Sequence, residues 1–298
     1  MQSLELKGVI PAVLTPYNAD HHIDTQALKA YVDFLINHGV HGLFAAGTNG
    51  EGMLLSAKEK KTLIETITKQ AAGRIPVIAH TGAMNSEETL ELTRFAQEVG
   101  ASGAAIVTPW YFAHDEESLY RHYGLAAQAC PDFPIFIYNL PGNAKNDMKP
   151  GLVKRLRENF ANIIGIKDSS KDLNRLCEYI NLMGKDFTVI VGTDSLVVPA
   201  LLMGAVGVVS AVADVYPEVM VKMFNAFVSG NLEEAVRLQY VVINLRDALK
   251  TGPYVTPYKA ALQMRGVNVS GYKPPFRWPD EQELSSMRAK LEKLGVVG

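Results

Sequence analysis

Eight short apolar runs, each ending in a small polar cluster and most followed by an amphipathic stretch, constrain this chain more than any other feature. The runs occupy residues 9–14, 42–46, 76–79, 103–107, 134–137, 163–166, 187–191 and 206–209. Their starts lie about 20–35 residues apart, the spacing of strand–helix units in a parallel sheet. The stretch 25–38 places Leu28, Tyr31, Val32, Phe34 and Leu35 near one helical face and stops before Gly39. The stretch 56–72 opens on Ser56-x-x-Glu59, a capping box, and 86–99 opens on a serine cap at Ser86 and ends at Gly100. Residues 116–129, 149–159 and 172–183 continue the pattern. Alternation of this kind predicts an α/β chain folded as a closed parallel (β/α)8 barrel. An open doubly wound sheet is the rival. It usually has fewer strands and a phosphate-binding glycine loop after the first one, where this chain has Thr15-Pro16-Tyr17.

After Ser210 the pattern changes. Helices are expected over 217–228, 232–249 and 281–294, punctuated by Pro253, Pro257, Pro274, Pro275 and Pro279. The expected organisation is a barrel over residues 1–228, with a C-terminal helical region over 229–298 packed on it. One of the first two late helices would close the barrel.

Composition narrows the function classes. The chain has 298 residues, 48% of them hydrophobic, so a sizeable core is assured and disorder is excluded as the dominant state. Its 29 Lys and Arg against 31 Asp and Glu leave a formal charge of −2, which offers no electrostatic case for nucleic acid or an anionic membrane. Two cysteines, Cys130 and Cys177, cannot build a disulfide framework and are read as reduced, inert thiols. The opening MQSLELKGVIPAVLTP lacks a basic segment followed by a long apolar one, so no secretory leader is expected. No apolar run reaches the roughly 18 residues a membrane span needs. The expectation is a soluble cytoplasmic protein with no membrane partner.

In a (β/α)8 barrel, functional groups collect at the C-terminal ends of the strands. Thr48, Tyr138, Lys167, Asp194 and Ser210 follow apolar runs and would converge on one rim. Lys167 is the most informative. Strand periodicity puts Ile163, Gly165 and Lys167 on one face, with Gly165 leaving space beneath the lysine stem. A lysine facing into the barrel loses hydration, its pKa falls, and its neutral amine can attack a ketone to form a Schiff base. The alternative is a strand-end lysine that reaches solvent or pairs with Asp168. Tyr138 could be core with a satisfied hydroxyl, or a proton donor and acceptor beside an imine. Gly47-Thr48-Asn49-Gly50-Glu51 is neither a P-loop nor a dinucleotide fingerprint. Its free N–H groups could hold a carboxylate, or it could be an ordinary strand-to-helix turn. Metal signals are poor: Asp20-His21-His22 with Asp24 reads as a solvated loop, and His80 as a packed core histidine. No Gly-x-Ser-x-Gly elbow occurs.

Together these residues resemble the dihydrodipicolinate synthase / N-acetylneuraminate lyase family of class I pyruvate-dependent aldolases. The resemblance spans nearly the whole chain. Its marks are Pro11 with Thr15-Pro16, Gly47-Thr48-Asn49-Gly50-Glu51, Thr108-Pro109-Trp110-Tyr111, Tyr138-Asn139-Leu140-Pro141, Gly165-Ile166-Lys167-Asp168-Ser169 and Gly192-Thr193-Asp194. The late segments Pro257-Tyr258-Lys259-Ala260-Ala261 and Lys273-Pro274-Pro275-Phe276 also fit. Each motif is modest, but their order and spacing are specific.

The resemblance implies roles. Lys167 would form the Schiff base with a 2-oxo acid, Tyr138 would shuttle the proton on the aldehyde oxygen, and Thr48 would hydrogen-bond Tyr138. Tyr111 would extend the relay into a neighbouring subunit. The amides of Thr48 and Asn49 would grip the carboxylate. Ser169, Gly192, Asp194 and Ser210 match positions that contact the distal part of the substrate. It also implies a homotetramer built as a dimer of dimers, with no cofactor and no metal.

Two departures bear on substrate. Asn49 stands where the family often has threonine. Lysine-pathway synthases place an arginine soon after Tyr138-x-x-Pro to bind aspartate semialdehyde, and Asn143 occupies that place here, with Lys145 two residues on. Lys145 lacks the planar fork of arginine. The reading is a lyase that reversibly cleaves a 2-keto-3-deoxy sugar acid or 4-hydroxy-2-oxo acid to pyruvate and an aldehyde. The alternatives are 4-hydroxy-tetrahydrodipicolinate synthase, a sugar-acid dehydratase sharing the lysine, and a non-catalytic 2-oxo-acid sensor.

Overall fold

In a computed structural model that describes residues 4–296, the alternation resolves into eight parallel strands. The earliest residues of the leader reading, Met1 to Ser3, lie outside the described residues. In chain order the elements are β1 (Gly8–Pro11), α1 (Thr25–Asn37), β2 (Leu43–Ala45), α2 (Ala57–Ala71), β3 (Val77–His80), α3 (Ser86–Glu98), β4 (Gly103–Val107) and α4 (Glu116–Ala129). They continue with β5 (Ile135–Asn139), α5 (Pro141–Ala144), α6 (Pro150–Asn159), β6 (Ile163–Asp168), α7 (Leu173–Met183), β7 (Thr188–Val191), α8 (Val197–Met203) and β8 (Gly207–Ser210). Four further helices end the chain: α9 (Pro217–Val228), α10 (Leu232–Leu249), α11 (Thr256–Met264) and α12 (Glu281–Lys293).

The strand order β1-β8-β7-β6-β5-β4-β3-β2 curls into a nearly closed barrel, with β2 brought back beside β1. There the His41 N–H donates to the Val9 carbonyl at 2.8 Å. Gly8 makes this closure possible: its φ is +84°, and a Cβ would lie 2.4 Å from the His41 ring. The eighth barrel helix is α9, which packs against β1.

The apolar side chains divide into two clusters. The larger lies between strands and helices, and the smaller fills the barrel with Ile10, Phe44, Ile78, Phe136, Ile190 and their neighbours. Strands buried on both faces explain why the runs read as continuously apolar.

Several sequence expectations shift. Ser86 is the first helical residue of α3 and not its cap. Asn85, extended at φ −124°, accepts from the Glu88 N–H instead, and the Ser86 hydroxyl pairs with His122 Nδ1 at 2.8 Å. Ile163 does not share a face with Lys167. The ladder pairs Ile135 with Ile163 and then Phe136 with Gly165, so a bulge at Ile164 turns Ile163 into the outer cluster. Nor does Gly165 leave room under the lysine: a Cβ there would meet the Phe136 ring at 2.7 Å and the Thr188 carbonyl at 2.5 Å. The glycine makes room for Phe136.

Helices α5, α8 and α11 are not among those the sequence led us to expect. The first two are short, and all of α11 from Thr256 to Leu262 is buried. Pro257 stands in the first turn of α11 rather than interrupting a helix, since a first-turn residue needs no N–H partner. No helix among the described residues is long and apolar enough to cross a membrane.

Candidate active site

The strand ends open into a cavity of about 430 Å³ at the C-terminal rim of the barrel. Lys167 rises into it from β6 and is only 5% exposed. Its Nζ lies 3.7 Å from the Tyr138 ring centroid and 4.0 Å from that of Phe44. Neither alternative reading of the lysine survives. Its side chain is buried, and Asp168 points the other way, accepting from Asn139 Nδ2 at 2.8 Å and Ser170 Oγ at 2.6 Å. Burial between aromatic faces brings the Lys167 amine down to about 7, against the opposing pull of Asp214 and Asp194.

An amine attacks only when neutral, so pyruvate adduct formation should speed up as pH rises through about 7 and then level off. Stopped-flow measurement of adduct formation across that range checks this. A rate still climbing toward about 10.4 would put the amine at its ordinary value.

Tyr138 is buried at the end of β5, with its hydroxyl 3.2 Å from Thr48 Oγ1. Burial raises its phenol, while Thr48 and Ser169 partly oppose that rise. Its ring meets Phe44 and His80 edge-on, each with centroids 5.8 Å away. His80 is the core histidine expected: fully buried, and held neutral by that burial.

Thr48 and Asn49 sit in a turn whose backbone is forced. Ala46 and Glu51 both have φ +58°, and a Cβ on Gly52 would come within 1.9 Å of the Ala46 carbonyl oxygen. The turn is tied down from both sides. Thr15 Oγ1 donates to the Gly50 carbonyl at 2.6 Å. The buried Glu51 carboxylate accepts from Lys259 Nζ at 2.5 Å and from the Lys273 N–H at 3.1 Å. Burial pushes the Glu51 carboxyl up and the Lys259 ammonium down, and their contact opposes both. Removing one partner of such a pair typically costs about 3–5 kcal/mol. This pairing joins Glu51 to Lys259 and to the backbone at Lys273, segments far apart in the sequence, a role that sequence reasoning missed.

Asn49 Nδ2 donates to Asp214 Oδ2 at 3.3 Å. Asp214 is wholly buried and absent from the sequence-derived site. Burial pushes its carboxyl well up, and Oδ1 has no hydrogen-bond partner among the described residues. Asp194 follows β7 and accepts from Ser210 Oγ, which in turn accepts from the Ala213 N–H at 2.9 Å. Gln239 of α10 donates to the Asp194 carbonyl at 2.8 Å, fixing that turn. Ser169 and Gly192 face each other so closely that a Cβ on Gly192 would lie 1.9 Å from Ser169 Oγ. Thr48, Asn49, Tyr138, Lys167, Ser169, Gly192 and Asp194 therefore border one cavity, with Ser210 just behind Asp194.

Tyr111 is not among them. It stands 76% exposed at φ +79°, with its ring 4.9 Å from the exposed Phe112. Buried Asn146 holds this loop by donating to the Pro109 and Phe112 carbonyls, at 2.7 and 2.8 Å. Asn143 lines the cavity; Lys145, exposed with φ +67°, does not. The far wall holds residues no rim argument would find, namely Arg246, Lys250, Tyr254 and Tyr258 from α10 onward. Among the described residues, no group of His, Cys, Asp or Glu is arranged to hold a metal ion.

The model of the dihydrodipicolinate synthetase family matches residues 5–294. The chain belongs to that family. It is 37% identical to a 4-hydroxy-tetrahydrodipicolinate synthase of Thermus thermophilus, over 98% of this chain and 97% of the relative. An uncharacterised DapA-like lyase of Halobacterium salinarum is 35% identical, over 99% of this chain and 96% of its own. The crystal structure of YagE, a prophage protein of the same family from E. coli K12 in complex with pyruvate, superposes with a TM-score of 0.95. It is 32% identical, and the match covers 98% of this chain and all of that one. Members of the dihydrodipicolinate synthetase family are class I aldolase-type lyases and synthases, and this chain is an enzyme of that type.

Proposed function

We propose that this enzyme reversibly cleaves a 4-hydroxy-2-oxo acid, of the 2-keto-3-deoxy sugar acid type, to pyruvate and an aldehyde. The observation that carries the reading is a buried lysine brought to about 7, with a tyrosine–threonine hydroxyl pair beside it. The neutral Lys167 amine attacks the C2 carbonyl and water leaves, giving an iminium. Tyr138 takes the proton of the C4 hydroxyl as it passes its own to Thr48, 3.2 Å away, while the C3–C4 bond breaks, and the same hydroxyl pair returns a proton afterwards. The bonding pair passes into the iminium, leaving an enamine and a free aldehyde. Protonation at C3 and hydrolysis then release pyruvate. The backbone N–H groups of Thr48 and Asn49 anchor the substrate carboxylate and fix the imine for attack. Ser169, Gly192 and Asp194 face the distal part of the substrate, and Ser210 holds the Asp194 carboxylate from behind.

The names of the relatives favour a second reading, 4-hydroxy-tetrahydrodipicolinate synthase. Against it, the cavity wall after Tyr138 presents neutral Asn143, and Lys145 lies outside the cavity. Pyruvate release from a panel of 2-keto-3-deoxy acids, run beside condensation of pyruvate with aspartate semialdehyde, separates the readings. A dehydratase would instead consume the sugar acid without releasing pyruvate. Efficient condensation with no cleavage of any panel member would overturn the proposal.

We also propose a homotetramer in which Tyr111 crosses a two-fold interface. A strained backbone presenting two exposed aromatic rings is an apolar patch built to be covered. A two-fold contact uses the patch twice, so Tyr111→Ala should lower both dimer affinity and turnover. Sedimentation velocity checks assembly; a wild-type monomer at micromolar concentration would refute the shared site.

A further inference from the structure

The cavity is unevenly charged. Its wall is neutral at Leu140 and Asn143, where the chain leaves β5. Three cations enter from elsewhere: Lys171 from the turn after β6, and Arg246 and Lys250 from the end of α10. Arg246 and Lys250 are four residues apart and share one helix face. Lys171 is held at φ +67°, a conformation non-glycine residues adopt at a cost.

These charges are not matched by acids. Among the described residues, neither lysine has a carboxylate within 4 Å, and Arg246 meets only its exposed neighbour Asp247, at 3.5 Å. Among the described residues Asp194 is the only carboxylate in the cavity wall, and Ser210 and the backbone at Ala211 and Val212 already occupy it. The cations also feel one another: burial, then Arg246 and Lys171, push the Lys250 amine down, opposed by Asp247 and Asp194.

We propose that Lys171, Arg246 and Lys250 form a subsite for a terminal phosphate on the aldehyde half of the substrate, making the preferred 2-oxo acid a phosphorylated one. The inference rests on the imine chemistry proposed for Lys167 and specifies the other end of the molecule. Lys167 is buried while Lys171 and Lys250 are exposed at the mouth, so a substrate joined at C2 directs its tail toward them. A phosphate monoester carries a charge of about −1.5 to −2 at pH 7 and offers three acceptor oxygens, a match for three separate cationic donors. A carboxylate has one charge and suits a single arginine fork. A neutral polyol would leave three like charges facing each other uncompensated.

The test compares aldehydes in condensation with pyruvate: D-glyceraldehyde, D-glyceraldehyde 3-phosphate and succinic semialdehyde. The wild type should favour the phosphorylated aldehyde over the neutral one by at least about ten-fold in kcat/KM. That ratio should collapse toward about 1 in the Lys171→Gln, Lys250→Gln double variant, with the loss in KM, and fall with added salt. Both positions are exposed, so folding is not at stake. A wild-type ratio near 1, or a ratio the double variant keeps, would overturn the subsite. A preference for succinic semialdehyde would replace phosphate by carboxylate and overturn it as stated. Borohydride trapping with pyruvate, run in parallel, tells the two proposals apart. An adduct on Lys167 with no phosphate preference removes the subsite alone, whereas no adduct removes both.

Discussion

Borohydride added in the presence of pyruvate should leave a reduced pyruvyl group on Lys167, and Lys167→Ala should abolish it. Only an imine is trapped this way, and an imine needs a neutral amine that a ketone can reach. Lys167 combines the two, buried between Tyr138 and Phe44 yet lining the cavity. The competitors each lack a condition. Lys259 is sealed beside Glu51, and Lys60 is buried against Glu88 and the Gly82 carbonyl. Lys250 shares the cavity but stands at its exposed mouth. Peptide mapping by mass spectrometry decides the matter. Labelling of Lys250, or of no lysine, would refute the mechanism, and circular dichroism of Lys167→Ala establishes that the barrel persists.

Tyr138→Phe should lower turnover by about 10²–10⁴-fold, the usual cost of losing a general acid–base group. The substitution isolates the hydroxyl. The edge-on contacts with Phe44 and His80 belong to the ring and remain, while the 3.2 Å contact to Thr48 is lost. Thermal stability should change little, since the freed Thr48 hydroxyl faces the cavity and can be solvated. Retained turnover with an unchanged melt would assign Tyr138 to packing and hand the proton to water or to a substrate group.

The barrel was legible because its cause is local and repeated. A strand covered on both faces must be apolar along its length, and polar residues can stand only where it emerges at the rim. Lys167, Tyr138, Thr48 and Asp194 announced themselves by breaking such runs. Ile163 misled because period two holds only while the ladder is regular and nothing local marks the extra residue at Ile164, and Gly165 misled because the space it frees is filled from the neighbouring strand by Phe136. Helix α11 was hidden for a related reason. From Thr256 to Leu262 it is buried at polar and apolar positions alike, Lys259 included, so polarity there does not report exposure, and Pro257 masked its first turn.

Chain order alone thus determined the strand count, the rim and the buried lysine that stands on it, since each follows from which residues tolerate burial at a regular interval. Tertiary structure alone decided the rest of the cavity. Arg246 and Lys250 lie some 80 residues beyond Lys167 in sequence, on a helix with no periodic link to the barrel, and they reach the cavity only because α10 packs across α9 and the turn at Asp194. Asp214 and the Glu51–Lys259 pair are likewise set by contacts between distant segments. No repeating pattern encodes such contacts, because a hydrogen bond or an ion pair constrains two side chains at a point and leaves the intervening chain free.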